Sequence, residues 1–261
     1  MLRVAAAVLA FFIFFEAHAE ENEGRPPFIS TPGDVVERML QLAGTQPGDL
    51  VVDLGSGDGR IVIAAAQKFG ARGLGIELDG KLVERSRHNA RLAKVADRVS
   101  FEQGDVLVSD ISRASVVTVY LLPSLIDRLQ PRFVDELRPG TRIVSHAFAM
   151  AGWKPDRAET VRVTQPHPGQ GDESTLYLWI VPAEARGVWQ AGALRLRIHQ
   201  NYQEIEVEGQ QNGKPIAVSR ATLTGRDIAW ETQAWSFRGR VEQNQIVGKL
   251  NDVPLVFTRA R

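Results

Sequence analysis

The sequence predicts an α/β protein: a mostly parallel sheet wound by helices, with one reversed strand, followed by a small all-β meander or barrel. Three observations carry this. Between residues 50 and 148 short apolar runs alternate with amphipathic helical stretches. One strand-to-helix turn in that region is built around three glycines, Gly55, Gly57 and Gly59. Beyond about residue 184 the helical period disappears, and short alternating segments punctuated by Gly, Asn and Asp take over.

In chain order, Thr31-Pro32-Gly33-Asp34 offers a helix start: an N-cap, a proline at the first helical position and an acid in the first turn. Val35, Val36, Met39, Leu40 and Ala43 then share one helical face, and Gly44 stops it. Residues 50–54 form a buried strand, the glycine turn follows, and a helix runs to Phe69-Gly70. A second strand covers residues 73–77 and a second helix residues 81–94, with Arg85, Arg87 and Arg91 outward. Strands follow at 99–101 and 116–121, the latter continuous and apolar as a central parallel strand should be. Residues 124–137 read as helix, broken or restarted at Pro131, and residues 141–148 as the fifth strand. Two segments joined by a short Pro/Gly loop, 159–165 and 175–181, form a hairpin, which requires one strand antiparallel to its neighbours.

The C-terminal segments lie at 193–201, 203–208, 215–219, 227–231, 234–241, 245–250 and 254–258, with turn signals at Asn212-Gly213, Gly225 and Asn251-Asp252. Leu194, Leu196 and Ile198 alternate with Arg195, Arg197 and His199, so the simplest reading is apolar inside and charged outside. A surface or cavity for docking a partner is the alternative.

Composition narrows the function. The 261 residues carry 31 Lys+Arg against 31 Asp+Glu, so no nucleic acid held mainly by phosphate contacts is expected. The absence of cysteine excludes disulfides, thiol nucleophiles and thiolate metal sites. His88, His167 and His199 share no ligand spacing, so no metal is expected, and no nucleophile elbow supports a hydrolase. At the N-terminus Arg3 precedes an apolar run at residues 4–15, followed by Glu16 and Ala17-His18-Ala19. Twelve apolar residues match a cleaved export signal and fall short of the ~20 that span a bilayer. The expected organisation is therefore a signal peptide at 1–19, a polar spacer at 20–30, an α/β domain at 31–183 and a β-module at 184–261. The expected location is the periplasm or exterior, with an inner-membrane anchor as the alternative, which leaves membrane or envelope association open.

The chemistry-bearing residues gather at strand ends. The turn Asp53-Leu54-Gly55-Ser56-Gly57-Asp58-Gly59-Arg60 has the spacing G-x-G-x-G, where a dinucleotide fold wants G-x-G-x-x-G. The glycines permit a tight turn and close ligand approach, and the helix beyond presents free N–H groups. Asp53 suits the amino group of S-adenosylmethionine and would repel a pyrophosphate. Glu77, 24 residues on, can accept both ribose hydroxyls, and Asp105 can accept from the adenine amino group. Each acid alone is ordinarily a turn or cap residue; three at successive strand ends line the edge where such sheets bind ligands.

The segment from Asp53 to Gly59 resembles the first motif of class I S-adenosylmethionine-dependent methyltransferases, and the hairpin matches their reversed last strand. Pro27-Phe28-Ile29-Ser30-Thr31-Pro32, the run from Asp53 through Arg60 to Ala66, and Trp153-Lys154-Pro155-Asp156 are similar to the protein-lysine methyltransferases of the ATP synthase c-subunit. The resemblance spans residues 26–182 and implies a Rossmann-like seven-stranded sheet with its last strand antiparallel. It implies that Asp53, Gly55, Gly57, Glu77 and Asp105 bind S-adenosyl-L-methionine, with Thr31 near its methionine end. The implied partner is a protein with an accessible lysine, and the alternatives are a small-molecule acceptor or an exported binding protein without turnover. Where many amino-group methyltransferases carry Asp/Asn-Pro-Pro-Tyr/Phe, this chain has Tyr120-Leu121-Leu122-Pro123. Tyr120 is the candidate catalytic residue, orienting the acceptor amine, or else it packs on the adenosine. His146 either faces the cleft or is a satisfied core histidine.

Overall fold

The computed structural model describes residues 28–166 and 171–260. The expected export signal, the spacer up to residue 27 and His167 lie outside them. The chain forms two compact units. One holds the described residues up to Arg132 together with Arg142–Trp179, and the other holds Phe133–Thr141 with Ile180–Arg261.

The first unit opens with α1 (Gly33–Leu42), whose Val35, Val36, Met39 and Leu40 are buried on one face. Its start differs from the expected one. Pro32 takes the N-cap place, its carbonyl accepting from the Val36 amide at 2.9 Å. Thr31 caps nothing, because its hydroxyl is engaged by a histidine 115 residues away.

Five strands are parallel: β1 (Leu50–Leu54), β2 (Arg72–Glu77), β3 (Val99–Gln103), β4 (Val116–Val119) and β5 (Arg142–His146). All of β4 is buried, as a central strand covered on both faces must be. Between them run α2 (Arg60–Phe69), α3 (Gly80–Leu92) and α4 (Pro123–Glu136). Asp79 caps α3 by accepting from the Lys81 amide at 2.8 Å. The hairpin of β6 (Arg157–Arg162) and β7 (Glu173–Ile180) completes the sheet in the order β3-β2-β1-β4-β5-β7-β6. The Ala147 amide donates to the Thr175 carbonyl, and the Val181 amide donates to the Thr141 carbonyl. Rising numbers on β5 thus meet falling numbers on β7, and the last strand is antiparallel.

The expected break at Pro131 does not occur, since α4 is continuous through it. A proline removes one amide donor, here the one that would reach back to residue 127. Asp127 is exposed, so water can take that place. Ile126 and Leu129 before the proline and Phe133 after it are fully buried, which holds the helix in one piece.

The second unit is a nine-stranded antiparallel sheet: β8 (Gly187–Ala191), β9 (Leu194–Asn201), β10 (Glu204–Gln211), β11 (Lys214–Ile216), β12 (Val218–Thr224), β13 (Asp227–Thr232), β14 (Ser236–Glu242), β15 (Gln245–Leu250) and β16 (Val253–Arg259). It is a meander closed by β16 pairing back onto β8, and β12 packs on β10, so the sheet curls nearly into a barrel. Asn212-Gly213 and Asn251-Asp252 turn with positive φ throughout, the geometry that matches strand twist in two-residue hairpins. Trp189, Trp230, Phe237 and Phe257 fill the interior, with Trp230 stacked on Phe237 at 4.2 Å and Phe257 edge-on to both. The alternation read from Leu194 to His199 therefore marks a packed core.

Candidate active site

The sheet registers place one acid or aromatic after another along the C-terminal edge. Asp53 on β1 pairs with Gly75 on β2 and Thr118 on β4, and Glu77 closes β2. Val119 pairs with Ser145, so the next residues, Tyr120 and His146, stand side by side.

The glycine turn is held from below by β2. The Gly55 and Ser56 amides both donate to the Ile76 carbonyl, at 2.9 and 3.0 Å, and the Gly57 amide donates to Glu77 Oε2 at 2.9 Å. Gly55 and Gly57 have φ of 78° and 54°. A Cβ at Gly57 would lie 2.1 Å from the Phe28 ring, and one at Gly55 would lie 2.8 Å from Leu121. The missing side chains thus make room for the site's own walls.

Asp53 is 3% exposed and accepts from the Thr118 hydroxyl at 2.7 Å. Burial pushes its carboxyl up to about 7, the Thr118 bond opposes that, and the carboxylates of Glu77 and Asp58 add to it. Asp58 behaves oppositely. Burial would raise it, but Arg60 grips it through Nε–Oδ1 at 2.9 Å and Nη2–Oδ2 at 2.7 Å and holds it below the usual carboxylate range. The same guanidinium donates through Nη1 to the Thr31 carbonyl at 2.8 Å, tying the segment 28–32 to the start of α2.

Glu77 accepts a second amide bond, from Asp79 to Oε1 at 2.9 Å. A carboxylate has about four acceptor positions, so two remain for the hydroxyls of a diol. Asp105 is exposed just beyond β3, and its Oδ1 accepts from the Leu107 amide in its own turn, which leaves Oδ2 for a ligand. Thr31 is buried, with its hydroxyl 3.3 Å from His146 Nδ1. Tyr120 is half-buried, and burial raises its phenol to about 12. Its ring lies 4.0 Å from that of His146 and 6.5 Å from that of Phe148.

These groups fit S-adenosylmethionine. Asp53 is a buried carboxylate with no ion pair among the described residues, surrounded by acids, and an ammonium group is what such a carboxylate lacks. Ser56 Oγ is likewise buried without a partner among the described residues. Sequence reasoning missed Thr118, Arg60, Phe28 and Ser174. Thr118 had a signal, as the single polar residue of the apolar strand 116–119. Arg60 had one too, two residues after an acid at a helix start. Phe28 and Ser174 meet the site only through tertiary packing.

The fold and the donor set define a class I S-adenosylmethionine-dependent methyltransferase. Residues 53–157 match the family model described as the ANTKMT methyltransferase domain. A "Protein-lysine N-methyltransferase" of Saccharolobus islandicus is 38% identical over 156 residues, 59% of this chain and 93% of that protein. The chain belongs to this methyltransferase family. The mouse lysine N-methyltransferase named for the ATP synthase c-subunit is 35% identical over 130 residues; this chain spans about half of that relative's length, 52%. A Salinibacter ruber protein, described as an RNA methyltransferase and crystallised with S-adenosyl-L-homocysteine, is 51% identical, with a TM-score of 0.54 over 60% of this chain and 95% of that one.

Proposed function

We propose that this methyltransferase acts on the side-chain amine of a protein lysine. The observation that carries the reading is Tyr120: a neutral phenol immediately after β4, beside the cofactor acids, with no hydrogen-bond partner for its hydroxyl among the described residues. The identity to the Saccharolobus protein-lysine enzyme across nearly its whole length supports it. Bound S-adenosylmethionine supplies an electrophilic methyl group, so the acceptor must present a lone pair. Asp53 would hold the cofactor's ammonium, Glu77 its ribose hydroxyls and Asp105 Oδ2 its adenine amino group, with Thr31 near the methionine end. A lysine of ordinary pKa ~10.4 costs roughly 4.6 kcal/mol to neutralise at pH 7. The half-buried wall of Tyr120 and Phe148 favours the neutral amine by desolvation. The Tyr120 oxygen accepts one N–H and aims the nitrogen lone pair at the methyl carbon.

RNA is the competing acceptor, from the description of the Salinibacter protein. The even charge, 31 against 31, offers no basic excess for a phosphate backbone. The test is methyl-label transfer by the purified chain into three pools: membrane and periplasmic protein, total RNA, and small molecules. Label on lysine Nε in the protein pool is expected. Label confined to RNA or to small molecules overturns the lysine reading.

We further propose that the apolar run at residues 4–15 exports the chain. Fractionation of a C-terminally tagged protein with N-terminal sequencing should find a periplasmic chain beginning at Glu20. An intact, membrane-bound chain would replace export with anchoring.

A further inference from the structure

We infer that His146 is a positioning residue, locking the acceptor-side Tyr120 and the cofactor-side segment 28–32 into one register. The inference rests on the reading of Tyr120 as the wall of the acceptor site. His146 is fully buried at the end of β5, where an imidazole is costly unless its nitrogens are bonded. Nδ1 lies 3.3 Å from Thr31 Oγ1 and Nε2 lies 2.5 Å from Ser174 Oγ. Each hydroxyl can donate or accept, so the pair satisfies a neutral imidazole in either tautomer.

The two partners belong to different parts of the site. Thr31 lies in the segment whose carbonyl is tied by Arg60 to the start of α2, and whose Phe28 covers Gly57. Ser174 lies on β7, a regular strand in the interior of the sheet order. The histidine therefore fastens the cofactor-side segment to a rigid strand. Its ring meanwhile lies against Tyr120, at 4.0 Å and a 35° tilt. Leucine would fill a similar volume without needing two hydroxyls. What the imidazole adds is direction: its plane is fixed by two hydrogen bonds, and the phenol packed on it takes its orientation from that plane. Methyl transfer depends on alignment, and a misplacement of about 1 Å can cost about 10²-fold.

The chain has three tyrosines, Tyr120, Tyr177 and Tyr202, so 3-fluorotyrosine labelling gives three fluorine resonances, with Tyr120 assigned by its loss in Tyr120→Phe. His146→Phe keeps a planar ring and deletes both hydrogen bonds. It should shift or broaden the Tyr120 resonance and leave those of Tyr177 and Tyr202 in place. Loosening Thr31 should weaken affinity for S-adenosyl-L-homocysteine only about threefold by calorimetry, while label transfer into the protein pool at saturating S-adenosylmethionine falls about 10- to 100-fold. His146→Gln, which restores a donor and an acceptor, should recover part of the rate. An unchanged Tyr120 resonance, or a rate loss matched by loss of cofactor binding, overturns the inference. Should His146→Phe fail to fold, Ser174→Ala frees one end of the imidazole and must show the same resonance change and rate loss. If the wild-type chain labels no protein lysine, the lysine reading fails, while the Tyr120 resonance in Ser174→Ala, which keeps the imidazole beside Tyr120, still decides the role of His146.

Discussion

Asp53→Asn should make the cofactor-free protein more stable at pH 8 and at the same time lose most of its affinity for S-adenosylmethionine. The carboxyl is buried, and its folded value of about 7 stands above the ordinary 3.8. Between those values the folded chain holds a proton that the unfolded chain has released. The stability contributed by this group is therefore fully present below 3.8 and is lost as pH rises through about 7. At pH 8 the wild-type chain carries a buried charge with no counter-ion among the described residues, a penalty on the order of 4 kcal/mol that the amide removes. Urea melts of the full chain should show Asp53→Asn gaining stability over wild type at pH 8 and little at pH 4. Binding moves the other way. Removing one partner of a buried carboxylate–ammonium pair costs about 3–5 kcal/mol, so calorimetry should register a loss of about 10²-fold or more. Wild-type affinity should also fall about tenfold per pH unit below 7, because binding must then expel the Asp53 proton, and the variant should lack that slope. Wild-type affinity in the variant would remove Asp53 from the cofactor site.

Asp53 and its glycines sit in a local pattern of strand, tight turn and helix that one sequence stretch contains entire, and Glu77 ends the next strand by the same grammar. The reversed hairpin was legible because two β segments without a helix between them cannot both be parallel. What sequence could not give is what distant strands do to one another. Thr31 reads as an N-cap and is instead the partner of His146, because a contact across 115 residues outcompetes a local cap. Asp105 reads as a ligand acid, but one of its oxygens is spent on the Leu107 amide in its own turn. Strand β8 escaped because its five residues carry little alternation, and the pairings with β9 and β16 define it. Pro131 misled for a related reason, since burial on both sides overrides a local helix breaker.

Tyr120→Phe should separate orientation from proton transfer. The phenol titrates only near 12, so at neutral pH it keeps its proton and cannot act as a general base. What it offers is an oxygen that accepts an N–H from the acceptor amine. Deleting that oxygen leaves the ring packed between His146 and Phe148, and cofactor affinity should stay within about threefold. The transfer rate should fall on the order of 10²-fold, the scale set by a small loss of alignment. The pH profile distinguishes this from base catalysis. With the acceptor shedding its proton to solvent, the rate at saturating cofactor rises about tenfold per pH unit below the amine's pKa of ~10.4. That slope belongs to the substrate, so Tyr120→Phe should keep it and lower the whole curve in parallel. A base role would instead flatten the slope in the variant. A variant as fast as wild type would leave the hydroxyl with no part in transfer and reduce Tyr120 to a ring packed on the adenosine. Initial rates of label transfer between pH 7.5 and 9, above the Asp53 titration, decide among the three.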